Sequence, residues 1–182
     1  MTYRIAVVVG SLRRDSFNRQ LAQALAKLAP QGLEFAPVRI DDLPLYNQDN
    51  DGHPPEPVRR LKNEVANAQG VLFVTPEYNR SIPGVLKNAI DHASRPYGDS
   101  AWAGKPAGII GASIGAIGTA VAQQHLRGII GCIDMPTLGL PEAYIHAKDG
   151  SFNADGSLGD GTRKFVRGWV DRYVAFVRLH AG

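Results

Sequence analysis

Cysteine is almost missing from this chain: Cys132 is the only one. No intrachain disulfide can form, and neither can a thiolate metal cluster. Its surroundings between Ile130 and Pro136 are apolar, so a buried, inert thiol is expected. Long apolar runs are missing too. The run Ile5 to Val9 stops at Gly10 and is too short for a signal segment, and nowhere do about 18 apolar residues stand together. A cytoplasmic protein with no membrane partner is the expectation. Charge of one sign is also scarce, with 20 Lys and Arg against 17 Asp and Glu and a net charge of +3. Without a basic cluster there is no footprint for nucleic acid, whereas a small positive excess suits phosphate-bearing ligands. The histidines His53, His92, His125, His146 and His180 lack the spacing of metal ligands. His92, next to Asp91, reads as a structural imidazole.

What is present alternates in a regular way. Short β-branched runs at Tyr3–Val9, Leu33–Ile40, Gly70–Thr75 and Ala107–Ala112 predict strands, with a weaker candidate at Cys132–Leu138. Ile5 to Val9 is apolar at every position, as expected for a strand covered on both faces. Amphipathic helices lie between. Phe17, Leu21, Ala24, Leu25 and Leu28 form one stripe, and Val58, Leu61, Val65 and Ala68 a second, after Pro54 and Pro55. A third helix follows Pro83 and Gly84, and a fourth runs from about Ile117 to Ile130. The last carries Phe165, Trp169, Val170, Tyr173, Val174 and Val177 on one face. Core packing explains all these stripes. The order βαβαβαβαβα implies a parallel sheet with helices on both faces. The 182 residues read as a single domain, 1–182, without repeats. Two irregular stretches, 41–57 and 147–161, interrupt the alternation.

In such a sheet, ligands bind beyond the carboxyl ends of the strands, where strand order reverses. After the first strand, Gly10 permits a tight turn, Ser11, Ser16 and Asn18 offer short hydrogen-bonding side chains, and Arg13 adds positive charge. The segment feeds a helix N-terminus, which favours a phosphate; an N-cap by Asp15 or Ser16 with solvated arginines would also explain it. Neither G-x-G-x-x-G nor G-x-x-x-x-G-K-[ST] occurs there, so a monophosphate fits better than a pyrophosphate. After the third strand, Pro76 and Pro83 bracket a stiff loop containing Glu77, Tyr78, Asn79 and Arg80, whose backbone could meet a flat polar heterocycle. After the fourth, Ser113, Gly115 and Gly118 lead into a helix. Those glycines suit either a close ligand or helix–sheet packing.

The stretches Gly-Ser-Leu-Arg-x-x-Ser-x-Asn (10–18) and Pro-Glu-Tyr-Asn-x-Ser-Ile-Pro-Gly-x-Leu-Lys-Asn-Ala-Ile-Asp (76–91) resemble the NADPH-dependent FMN reductase family, which includes the bacterial quinone reductases also described as chromate reductases. The likeness runs from the first strand into the fourth helix. It implies a flavodoxin-like three-layer α/β/α fold with a five-stranded parallel sheet of order 2-1-3-4-5. It implies FMN as cofactor, with NADPH or NADH as cosubstrate. Carried onto this chain, Ser11, Arg13, Ser16 and Asn18 would cradle the FMN phosphate. Pro76, Glu77, Tyr78 and Asn79 would lie against the isoalloxazine, and Ser113 and Gly115 would close its dimethylbenzene or ribityl side. A homodimer or homotetramer is implied as well, because a second subunit commonly completes such sites.

The implied reaction passes a hydride from the nicotinamide to flavin N5, and then electrons to a quinone, a free flavin or an oxidised metal such as chromate. It needs no catalytic side chain. Tyr78 and Arg80 are candidate assistants, Arg80 by stabilising negative charge on reduced flavin or by meeting the nucleotide's phosphate. Two other readings remain: an electron carrier of the flavodoxin type, which would call for a strongly acidic surface, and a non-enzymatic flavin-binding regulator.

Overall fold

The computed structural model describes residues 2–180. Five strands, β1 (Tyr3–Val9), β2 (Leu33–Val38), β3 (Gly70–Val74), β4 (Ala107–Ser113) and β5 (Tyr144–His146), form one parallel sheet ordered β2-β1-β3-β4-β5. The helices are α1 (Phe17–Lys27), α2 (Glu56–Ala66), α3 (Gly84–Ala93), α4 (Ala120–Cys132) and α5 (Asp160–His180). This is the flavodoxin-like order expected from the resemblance.

Side chains alternate across each strand, so the unbroken apolar runs feed two cores. Ile5, Val7, Leu72, Val74 and Ile110 pack with Leu21 and Leu25 of α1 and with Trp169 and Tyr173 of α5. Ala6, Val8, Val71, Phe73 and Ile109 pack with Leu61 and Val65 of α2, Leu86 and Ile90 of α3, and Leu126 and Ile130 of α4. Each fully buried Leu or Ile contributes on the order of 2 kcal/mol of transfer free energy. Tyr173 is fully buried and donates its hydroxyl to the Val71 carbonyl at 2.8 Å. Burial pushes that phenol's pKa well above the usual tyrosine value.

Four expectations need correction. The fifth strand is not Cys132–Leu138 but Tyr144–His146, whose partners are Gly111 to Ser113 at the end of β4. The earlier segment still touches the start of β4, where the Ala107 amide donates to Pro136 O at 2.7 Å and the Leu138 amide donates to Ala107 O at 2.9 Å. Helix α4 begins at Ala120 rather than near Ile117, because Gly118 sits at φ +61°, a left-handed conformation that a helix cannot pass through. Cys132 is exposed, on the outer side of the last turn of α4. Phe165 is exposed too, and its neighbour Val166 takes the buried place on α5. His92 behaves as a structural imidazole, with Nε2 2.8 Å from Pro44 O and its ring edge-on to Tyr46.

Candidate functional site

Strands β1, β3 and β4 are neighbours, so the loops that follow them meet along one edge of the sheet. Backbone bonds hold them in step: the Gly10 amide donates to Val74 O at 2.9 Å, and the Thr75 amide to Ile110 O at 3.0 Å.

The first loop ends at Ser16, which is the N-cap of α1 and accepts from the Arg19 amide at 3.3 Å. Of the two caps that the sequence permits, Ser16 and not Asp15 is used. The amides of Phe17 and Asn18 in the first turn have no intrahelical acceptor. Ser16 at the cap is buried, as is Ser11 earlier in the loop, while Arg13 and Asp15 are exposed. A serine hydroxyl that accepts one bond can still donate its own hydrogen. Asn18 faces elsewhere: its amide group donates to Ala112 O at 2.8 Å and accepts from the Ala112 amide at 2.9 Å. The side chain is buried and stitches α1 to β4.

The second loop folds back on itself. Tyr78 and Ser81 exchange two backbone bonds of 2.9 and 3.0 Å around Asn79 (φ 49°) and Arg80 (φ 65°). Both central residues are left-handed, the geometry of a type I′ turn. Asparagine tolerates this conformation; for arginine it is strained. The carboxylate of Glu77 turns inward and accepts from the Val121 and Ala122 amides at 3.0 and 3.1 Å, while Arg80 Nη1 reaches its other oxygen at 3.2 Å. Pro76 is buried, whereas Tyr78 is half exposed.

In the third loop, Ser113 Oγ accepts from the Gly115 amide at 3.2 Å, and the Gly118 amide donates back to Gly115 O at 2.9 Å. A Cβ placed on Gly115 would meet only Ser113 Oγ, at 3.6 Å, so space stands open above this backbone. Each loop also carries apolar side chains into solvent: Leu12 in the first, Tyr78 in the second, Ile114 and Ile117 in the third. Leu12 and Ile114 belong to no expected strand or helix, and Ile117, expected at the start of the fourth helix, lies in the loop before it. The signal of the first two was apolar residues in loops, outside any strand or helix period.

The residues present fit FMN. Serine hydroxyls and open helix amides are a donor set for a phosphate monoester, and an exposed apolar rim suits a flat ring system. Among the described residues no group of three or more His, Cys, Asp or Glu gathers as a metal site.

Residues 3–150 match the profile of NADPH-dependent FMN reductases. The chain belongs to this family. It is an NAD(P)H-dependent flavoenzyme with FMN as its cofactor. Among its relatives, a 2-hydroxy-1,4-benzoquinone reductase of a Burkholderia species is 55% identical over 98% of both chains. A quinone reductase of Pseudomonas putida is 50% identical over 98% of this chain and 96% of its own length. The solved structure of FerB, a flavoenzyme NAD(P)H:(acceptor) oxidoreductase from Paracoccus denitrificans, superposes with a TM-score of 0.93 at 47% identity, covering 98% of this chain and 99% of FerB.

Proposed function

We propose that this chain reduces quinones with electrons from NADH or NADPH, at FMN held where the three loops meet. The observation that carries the reading is the open N-terminus of α1, capped by buried Ser16 and preceded by a loop with buried Ser11, among loops with exposed apolar side chains. The names of the relatives support a quinone as acceptor. In this reading Ser11, Ser16 and the first-turn amides of α1 hold the phosphate, and Arg13 screens its charge from solvent. Pro76, Tyr78 and Asn79 line one side of the ring system, and Ser113 and Gly115 the other. Asn18 and Glu77 do not touch the cofactor through their side chains; they hold the loops that do.

When bound, FMN supplies hydride acceptance and onward delivery of two electrons, so no side chain has to act as acid, base or nucleophile. An exposed rim admits acceptors of many shapes, and free flavin and chromate fall within the same proposal. The whole chain, 1–182, acts as one FMN-binding domain, in the cytoplasm. The chain assembles as a homodimer or homotetramer, with α4 supplying a contact face, and light scattering measures this directly. Among the described residues no helix is long and apolar enough to cross a membrane.

The test is spectroscopic. Purified protein should take up one FMN per chain, lose the flavin colour on addition of NADH or NADPH, and regain it when a benzoquinone is added without oxygen. Bleaching without recovery on quinone would refute the proposed acceptor.

A further inference from the structure

Helix α4 lacks a cap of its own. The Thr119 hydroxyl, at the N-cap position, makes no capping bond and instead accepts from Gln123 Nε2 at 2.8 Å. The amides of Val121 and Ala122 would therefore be orphaned at the edge of the core, where an unpaired donor is destabilising. Glu77 supplies the missing acceptor from 44 and 45 residues away, with a side chain only 7% exposed. Arg80 closes over its second oxygen from the solvent side, itself 69% exposed.

Two consequences follow from where these partners sit. Glu77 begins the Tyr78–Ser81 turn, and Val121 and Ala122 follow directly on the Ser113–Gly118 loop. One carboxylate thus joins two of the three loops around the cofactor site, as Asn18 joins the remaining loop to β4. The same carboxylate, paired with Arg80 on its solvent side, also places negative charge against the positive end of the α4 dipole, at the side of the flavin site.

We infer that Glu77 is a positioning residue that clamps the Tyr78–Ser81 turn to α4 and whose retained charge lowers the reduction potential of bound FMN. The inference rests on the FMN site proposed above. Its two parts, clamp and charge, separate in two variants. Glu77→Gln keeps the size of the side chain but removes the charge and weakens both amide bonds. Val121→Pro removes one amide donor at a first-turn position that tolerates proline and leaves the charge in place.

Three measurements decide. In flavin-free protein, both variants should speed hydrogen exchange at Ala122 and across residues 78–81. Both should weaken FMN binding, Glu77→Gln by about tenfold, the equivalent of one charge-assisted hydrogen bond. The midpoint potential of bound FMN should rise in Glu77→Gln and should not rise in Val121→Pro. Unchanged exchange in both variants overturns the clamp. A potential that rises equally in both, or in neither, overturns the role of the charge. A wild-type chain that takes up no FMN, yet shows faster exchange in the variants, refutes the site and leaves the clamp standing.

Discussion

Two helix N-termini open onto the same edge of the sheet, and the molecule treats them in opposite ways. At α1 the cap is a neutral serine, Ser16, which leaves amides and a hydroxyl hydrogen free to meet an anion. At α4 the amides are already taken by an anion belonging to the chain, Glu77. A helix dipole attracts any negative group within reach, and here only one of the two ends is left available. In the proposed site, the phosphate end of the ligand falls to α1. The α4 end is stiffened and carries the charge of Glu77, next to the turn expected to carry the ring system.

That contrast can be broken at several points. The largest effect is expected for Asn18→Ala, which removes the stitch between the open end and β4 and leaves both backbone groups of Ala112 unsatisfied in a buried setting. A loss of about 2–4 kcal/mol in urea unfolding is expected, with FMN binding falling in parallel. A variant as stable as the wild type would mean that the two elements hold their positions without the stitch. Ser16→Ala comes next: it should cost about 1 kcal/mol of stability as a lost cap. It should also reduce the preference for FMN over riboflavin, which lacks the phosphate, in paired titrations. An undiminished preference would move the phosphate away from α1. At the closed end, Arg80→Ala should alter stability by only about 0–1 kcal/mol, since the pair with Glu77 is open to water on the arginine side. Arg80→Gly should be about 1 kcal/mol more stable than Arg80→Ala, because glycine occupies φ near 65° without strain.

The subtlest difference is one of pH. The core under α1 contains Tyr173, whose hydroxyl has its pKa raised by burial; the core under α4 has no buried tyrosine among its described members. With the folded pKa above the unfolded one, the folded state keeps its proton longer. This contribution is fully present below the ordinary tyrosine value of 10.0 and is lost as pH rises beyond it. Denaturant midpoints measured from pH 8 upward should therefore decline past that value, and more gently in Tyr173→Phe. A Tyr173→Phe profile parallel to that of the wild type would remove the tyrosine from the account.

Much of the frame was legible because apolar runs and helical stripes are local signals. Ile5 to Val8 announces a buried central strand within a few residues, and Leu21, Leu25 and Leu28 announce a covered helix. The fifth strand escaped because three residues, Tyr144–His146, are too few to show a period, while the longer run near Met135 to Leu138 reaches only the start of β4. Phe165 and Val166 stand one position apart, and the apolar stripe drawn through Phe165 picked the exposed neighbour of the buried residue. At the site, the three loops were readable from their place in the chain and from the family motif. What stayed hidden was the allegiance of individual polar side chains. Asn18 and Glu77 both read as loop residues facing a ligand, yet each bonds to backbone far along the sequence, 94 residues away for Asn18. No local pattern encodes such a partner.

The exposed apolar side chains at the rim have an evolutionary corollary. Ile114 is 74% exposed and Leu12 49%, so neither carries much of the packing that keeps the chain folded. Because the loops are fastened from beneath by Asn18 and Glu77, these outer positions can vary with little effect on folding. Acceptor preference can then drift between related enzymes, or be selected in a library randomised at Leu12, Ile114 and Ile117, on a scaffold whose redox centre stays in place.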